Sequence, residues 1–122
     1  MSATGLHEDA IALSPGTVDL HRAYRSLMEE LEAIDWYAQR IEASADAELK
    51  EVLRHNRDEE KEHAAMVLEW LRRRDSVLDR YLRAYLFSDG PIEDVEDALE
   101  GGESESGNGD LKIGSLRAPR SA

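Results

Sequence analysis

The sequence contains no cysteine, which excludes disulfide staples, thiolate zinc sites and cysteine nucleophiles and leaves no thiol from which to read a redox compartment. Aromatic residues are scarce at 6%, with a single phenylalanine, and 41% hydrophobic against 34% charged content is thin material for a core. One small domain fits 122 residues of this kind, and a large two-layer enzyme does not. Positive charge is also short: Lys and Arg total 15 against 27 Asp and Glu, a net charge of −12. A phosphate backbone or an anionic membrane surface repels such a chain, so neither nucleic acid nor membrane is an expected partner. No apolar run approaches the roughly 18 to 20 residues of a membrane span, and residues 1–16 lack the basic start and apolar centre of a secretory signal. A cytoplasmic protein is the expectation.

What the chain does have is helical periodicity. Residues 1–16 carry Gly5, Pro15 and Gly16 without a sustained period and read as a flexible leader. Thr17 can cap a helix to about Ser44, with Leu20, Tyr24, Leu27, Leu31, Ile34, Ala38 and Ile41 recurring at spacings of four and three. The period breaks at Ser44-Ala45-Asp46. Asp46 can then cap a second helix to about Arg74 whose stripe is Leu49, Val52, Leu53, Val67, Trp70 and Leu71. So short a loop makes the two helices antiparallel. A shorter amphipathic segment follows Asp75, with Leu78, Tyr81, Leu82, Tyr85 and Leu86 on one side, and ends before Ser88-Asp89-Gly90-Pro91. Residues 92–100 (IEDVEDALE) suit an acidic helical turn or two, which completes a helical domain over 17–100. GGESESGNGD at 101–110 has the composition of a flexible linker, and the tail at 111–122 opens with an apolar islet, LKIGSLR, that suggests docking.

The second stripe is interrupted at its middle, because Asn56, Glu60 and His63 fall within the arc of Leu49, Val52, Val67 and Trp70. An uncompensated carboxylate there costs several kcal/mol or takes up a proton, unless a cation or donors meet it. Glu60 and His63 form Glu-x-x-His, the spacing by which one helix gives a carboxylate and an imidazole to a non-haem di-iron site in a four-helix bundle. On the first helix Glu30 stands at the edge of the Leu27/Leu31/Ile34 stripe, aligned with Tyr37, and can look into the same interhelical space. Such a centre takes a Glu from each of two helices and a Glu-x-x-His from each of two others. This chain has half of that set on half of such a bundle, so a symmetric dimer would complete both. Glu29, Glu32 and Trp36 share a different side of the first helix, where the two acids could form a second, solvent-facing cation site.

Each feature has a plainer reading. Glu60 and His63 can simply pair at a helix interface, Glu30 belongs to an acidic run (EELE), and Glu29, Glu32 and Trp36 can be ordinary surface. Glu59, at i−4 to His63, is an alternative ligand, while Glu62 points well off the stripe. Tyr37 and Trp70 serve as core packing equally well.

MEELEAIDWYAQR at 28–40 and HNRDEEKEHAAMVLEWLRR at 55–73 closely resemble the encapsulated ferritin family, the ferritin-like ferroxidase cargo of encapsulin nanocompartments. The resemblance spans most of residues 20–87, and LKIGSLR at 111–117 is similar to the peptides that load cargo onto the inner wall of encapsulin shells. It implies an all-α fold: an antiparallel two-helix hairpin plus a shorter C-terminal helix, dimerising into a ferritin-like four-helix bundle and assembling as a ring of five dimers. It implies an enzyme, a ferroxidase that oxidises Fe(II) to Fe(III) with O₂ at a di-iron centre of two irons per subunit pair and delivers iron for storage inside the shell. It assigns Glu30, Glu60 and His63 to that centre, Tyr37 to its neighbourhood, and Glu29, Glu32 and Trp36 to an entry site where Ca²⁺ is a further candidate cation. The alternative is a non-catalytic cargo or scaffold module that binds divalent cations.

Overall fold

The computed structural model describes residues 5–106, with side chains to 101. Among the described residues the chain is all-helical: a 3₁₀ turn at Ala10–Ala12, then α1 (Pro15–Ala43), α2 (Ala47–Arg74), α3 (Ser76–Tyr85) and α4 (Ile92–Ser106). No helix among them is long and apolar enough to cross a membrane. The chain divides into two compact units, Met1–Leu71 and Arg72–Ala122, with the boundary near the end of α2.

In the first unit α1 starts earlier than the expected cap at Thr17. Ser14 is the cap, its Oγ accepting from the Thr17 N–H at 3.1 Å, and Pro15 occupies the first helical turn. Proline there sacrifices only an N–H that has no helical partner, and its fixed φ suits the helix, so Pro15 and Gly16 begin the helix rather than end a leader. Upstream, Gly5 adopts φ 76° against α1, where a Cβ would stand 3.4 Å from His21 Cε1. The 44–46 loop is as the periodicity predicts: Asp46 Oδ1 accepts from the Leu49 N–H at 2.8 Å and opens α2. The two helices run antiparallel, since Glu30 meets Glu60 and His63 while Asp19 to Ser26 share a groove with Met66 to Trp70. Burial is sparse. Ile41, Ala64 and Leu71 are the buried apolar residues of this unit, while Tyr24, Met28, Leu31, Leu49, Val52 and Met66 are exposed.

In the second unit Asp75 caps α3, its Oδ1 accepting from the Val77 and Leu78 N–H groups, both at 3.0 Å. Burial alone would raise the Asp79 carboxyl, but hydrogen bonds from Arg72 and Arg83 overcome it and hold the group below its usual range. Ala84, Val95 and Leu99 form a small core between α3 and α4, with Tyr85 packed against it. The connection contains Phe87 at φ 63° and Gly90 at φ 78°. A left-handed residue after a helix end is usually glycine because a Cβ is crowded there, yet this position holds a phenylalanine whose surface is 90% exposed. The acidic turn or two expected after Pro91 is a longer helix. α4 continues to Ser106, through six residues read as linker, so a second short helix joins the single C-terminal one expected. The tail segment expected to dock, Leu111 to Arg117, lies outside the described residues.

Candidate metal centre

Glu30 on α1 and Glu60 and His63 on α2 converge, each presenting one ligand atom, and these atoms lie within 4.8 Å of one another. Among the described residues this is the one such group of three. His63 Nδ1 stands 3.0 Å from Glu60 Oε1 and 3.7 Å from Glu30 Oε2. The helical repeat produces the arrangement: positions 60 and 63 are one turn apart on a single face, and antiparallel pairing sets position 30 opposite them.

The group is electrostatically unfinished. Glu30 is raised above the usual carboxylate range, first by the side-chain hydrogen bond it shares with Glu60 and then by burial. Glu60 is lowered by the same bond and by His63. His63 is raised, chiefly by its hydrogen bond to Glu60 and against a smaller opposing effect of burial. The cluster is two carboxylates and an imidazole, a mixed oxygen and nitrogen donor set that suits iron. Glu30 Oε2 is buried with no hydrogen-bond partner, and an orphaned acceptor beside two further ligands fits a cation. His63 is half exposed at 47% of its side-chain surface, and its spacing from Val52 and Met66 puts it on the exposed apolar stripe of α2. The cluster therefore opens toward the uncovered face of the hairpin.

The remaining candidates are placed differently. Tyr37 lies two turns along α1 from Glu30, about 10 Å of rise, and is partly buried. Trp36 is 48% exposed, and Glu29 and Glu32 are exposed, Glu29 standing 3.7 Å from Arg25. The entry-site trio does not join the three-ligand cluster. Glu59 acts on His63 only as a nearby charge, and Glu62 is exposed. Arg40 was missed by sequence reasoning: its guanidinium lies over the Tyr37 ring at 5.6 Å and the Trp36 ring at 6.0 Å. The signal was available, since an arginine three and four residues after two aromatics reaches both on one helix.

With this geometry established, comparison with known proteins is informative. The EncFtn-like family model matches residues 5–89. The chain is 52% identical over 126 residues to an encapsulated ferritin-like protein of Rhodospirillum rubrum, covering 95% of this chain and 90% of that protein. It is 49% identical over 110 residues to a ferritin-like protein of Thermotoga maritima, covering 90% and 96%. Among solved structures, protein ne0167 from Nitrosomonas europaea superposes with a TM-score of 0.71 at 58% identity, over 72% of this chain and 97% of that one.

Proposed function

Because the chain belongs to the EncFtn-like family, we propose that it is a ferroxidase, oxidising Fe(II) to Fe(III) with O₂ at a centre completed by two subunits. The observation that carries this reading is the half-set of ligands: Glu30, Glu60 and His63 within 4.8 Å, with Glu30 Oε2 buried and lacking a hydrogen-bond partner, opening toward an apolar stripe that one chain leaves uncovered. Pairing two such faces about a two-fold axis supplies two Glu-x-x-His sets and two further carboxylates, the complement of a di-iron bundle site.

Fe(II) is the substrate. Glu30 and Glu60 would offer carboxylate oxygens to the cation, which would compete with a proton on Glu30, whose affinity for it is raised in the metal-free cluster. His63 would bind as neutral imidazole, so any proton held by its imidazolium in the metal-free cluster would be released to solvent. Two adjacent irons supply two electrons to one O₂, and the anionic carboxylates favour the more highly charged ferric product. In this account Glu30, the α1 residue that meets both Glu60 and His63, would be the bridging carboxylate. Glu29, Glu32 and Trp36, on the outer side of α1, form an entry surface in this account, and Tyr37 lines the approach to the centre.

Oxidation kinetics test the assignment. Glu60→Ala should lower the initial rate of Fe(II) oxidation by roughly a hundredfold or more, since losing a ligand costs at least as much as losing a group that orients one. A variant that folds, pairs and oxidises at the full rate contradicts it and leaves the scaffold reading. The tail has a separate role in the same proposal: Leu111 to Arg117 dock the protein to an encapsulin shell, in which the iron is stored. Deleting them should abolish co-packaging with shell protein and leave oxidation unchanged, and packaging that survives the deletion refutes the targeting role.

A further inference from the structure

On the two-subunit reading of the centre, on which this step rests, we propose that Asn56 selects the register of pairing: its amide is satisfied where the two ligand sets meet and left unsatisfied one turn away. On α2, spacings of three, four and seven carry one line through Leu49, Val52, Asn56, His63 and Met66. Leu49, Val52 and Met66 are exposed apolar side chains, at 48%, 52% and 64%. Asn56 is the neutral polar member of that line, about 6 Å of helical rise before Glu60 and about 10 Å before His63. Neither the helix nor the packing of one chain explains an asparagine there. Asparagine is a poor residue for a helix interior because its side chain competes for backbone hydrogen bonds, and position 56 lies well inside α2. The residue is partly buried, its side chain makes no hydrogen bond to another described residue, and it does not join the three ligands. An amide offers both donors and an acceptor, and these need partners once a second surface covers the line.

The apolar members of the line cannot set a register by themselves. Sliding one hairpin along the other by a turn, about 5.4 Å, exchanges one apolar contact for another at little cost. It also carries the ligand sets apart by more than the 4.8 Å that contains Glu30, Glu60 and His63. In metal-free chains the ligand sets themselves oppose the aligned register, since it brings carboxylates of like charge together. A neutral amide breaks the degeneracy without that repulsion. In the aligned pair it meets hydrogen-bonding groups of the second copy. After a slip it lies against apolar side chains and gives up water without replacement, which is the costly case. A single asparagine on the apolar seam of a coiled coil fixes register and oligomer state in the same way, at some cost in affinity.

Two responses of opposite sign test the role. Full-length Asn56→Leu and the unaltered chain are compared by sedimentation over a range of concentrations, metal-free and with Fe(II) under anaerobic conditions. Fe(II) oxidation is then followed at concentrations where both are paired. Removing the amide should tighten pairing by at least about tenfold, because the seam becomes more continuously apolar. The initial oxidation rate per paired chain should nevertheless fall at least about threefold, because the aligned register and its two one-turn neighbours become equivalent. A residue that only packs would move both quantities in the same direction. Tighter pairing with a rate that does not fall overturns the proposal, as does any result in which pairing fails to tighten. An unaltered chain that stays monomeric at every concentration, with and without Fe(II), instead refutes the two-subunit reading, and the role of Asn56 falls with it.

Discussion

α3 and α4 close a small core within their own unit, leaving Val95 at 5% and Leu99 at 2% exposure although Val77, Tyr81 and Ile92 stay exposed, whereas the longer hairpin of α1 and α2 leaves Leu31 at 53% and Val52 at 52%. The difference follows from shape. Two long helices touch along one line and cannot wrap each other, so an apolar stripe wider than the contact stays at the surface. In the hairpin that uncovered stripe is also where His63 emerges, beside a buried carboxylate oxygen of Glu30 that no hydrogen bond satisfies. Incomplete packing and incomplete ligation coincide, and on the proposed pairing one event resolves both.

Breaking the hairpin's open face should have the largest effect. Val52→Lys places a charge on the exposed stripe, about 12 Å of helical rise from Glu60. Folding of the single chain should change by less than about 0.5 kcal/mol, as for surface substitutions generally. Pairing, followed by sedimentation, should be lost, and oxidation should fall by roughly a hundredfold with it, because half a ligand set remains. Normal oxidation by a monomeric variant would sever the link between packing and chemistry. The converse substitution is Leu99→Ala in the closed unit, which should cost about 2 to 5 kcal/mol of stability by denaturant unfolding while leaving the iron stoichiometry of the folded protein unchanged.

A smaller effect sharpens the electrostatic side of the comparison. Metal must displace protons from Glu30 and His63, whose affinities for protons are both raised in the metal-free state. Cation affinity should therefore increase with pH, up to about tenfold per unit for each proton displaced. The rise should be steep while His63 is still protonated and level off as the pH passes through its titration, which its hydrogen bond to Glu60 moves above the ordinary imidazole value. Calorimetry in buffers of different ionisation enthalpy reads the proton release, and binding without it would contradict the competition between cation and protons at Glu30 and His63.

Much of this was legible in the residues. The alternating spacings of four and three fixed both long helices, and the break at 44–46 together with the cap at Asp46 fixed the turn. Glu60 and His63 stood out because they interrupt an apolar arc, whereas Glu30 stood only at the edge of the first stripe within an acidic run, and it was the family resemblance that assigned it; the structure brings the three together. The start of α1 was misread because Pro15 and Gly16 look like breakers when the Ser14 cap goes unnoticed. The length of α4 was hidden because Gly101 and Gly102 resemble a linker, whereas a helix already begun continues at lower cost than one that must nucleate. Glu29, Glu32 and Trp36 share a side of α1, but periodicity cannot say what faces an exposed surface, and one chain presents them to solvent.

The central claim is that one chain holds half a metal centre. The most direct test is to titrate the purified protein with Fe(II) under anaerobic conditions and read chains and irons together by native mass. The account predicts iron in pairs, confined to assemblies with an even number of chains, one metal per chain. Iron bound stoichiometrically to monomers, or paired assemblies that take up none, would contradict it.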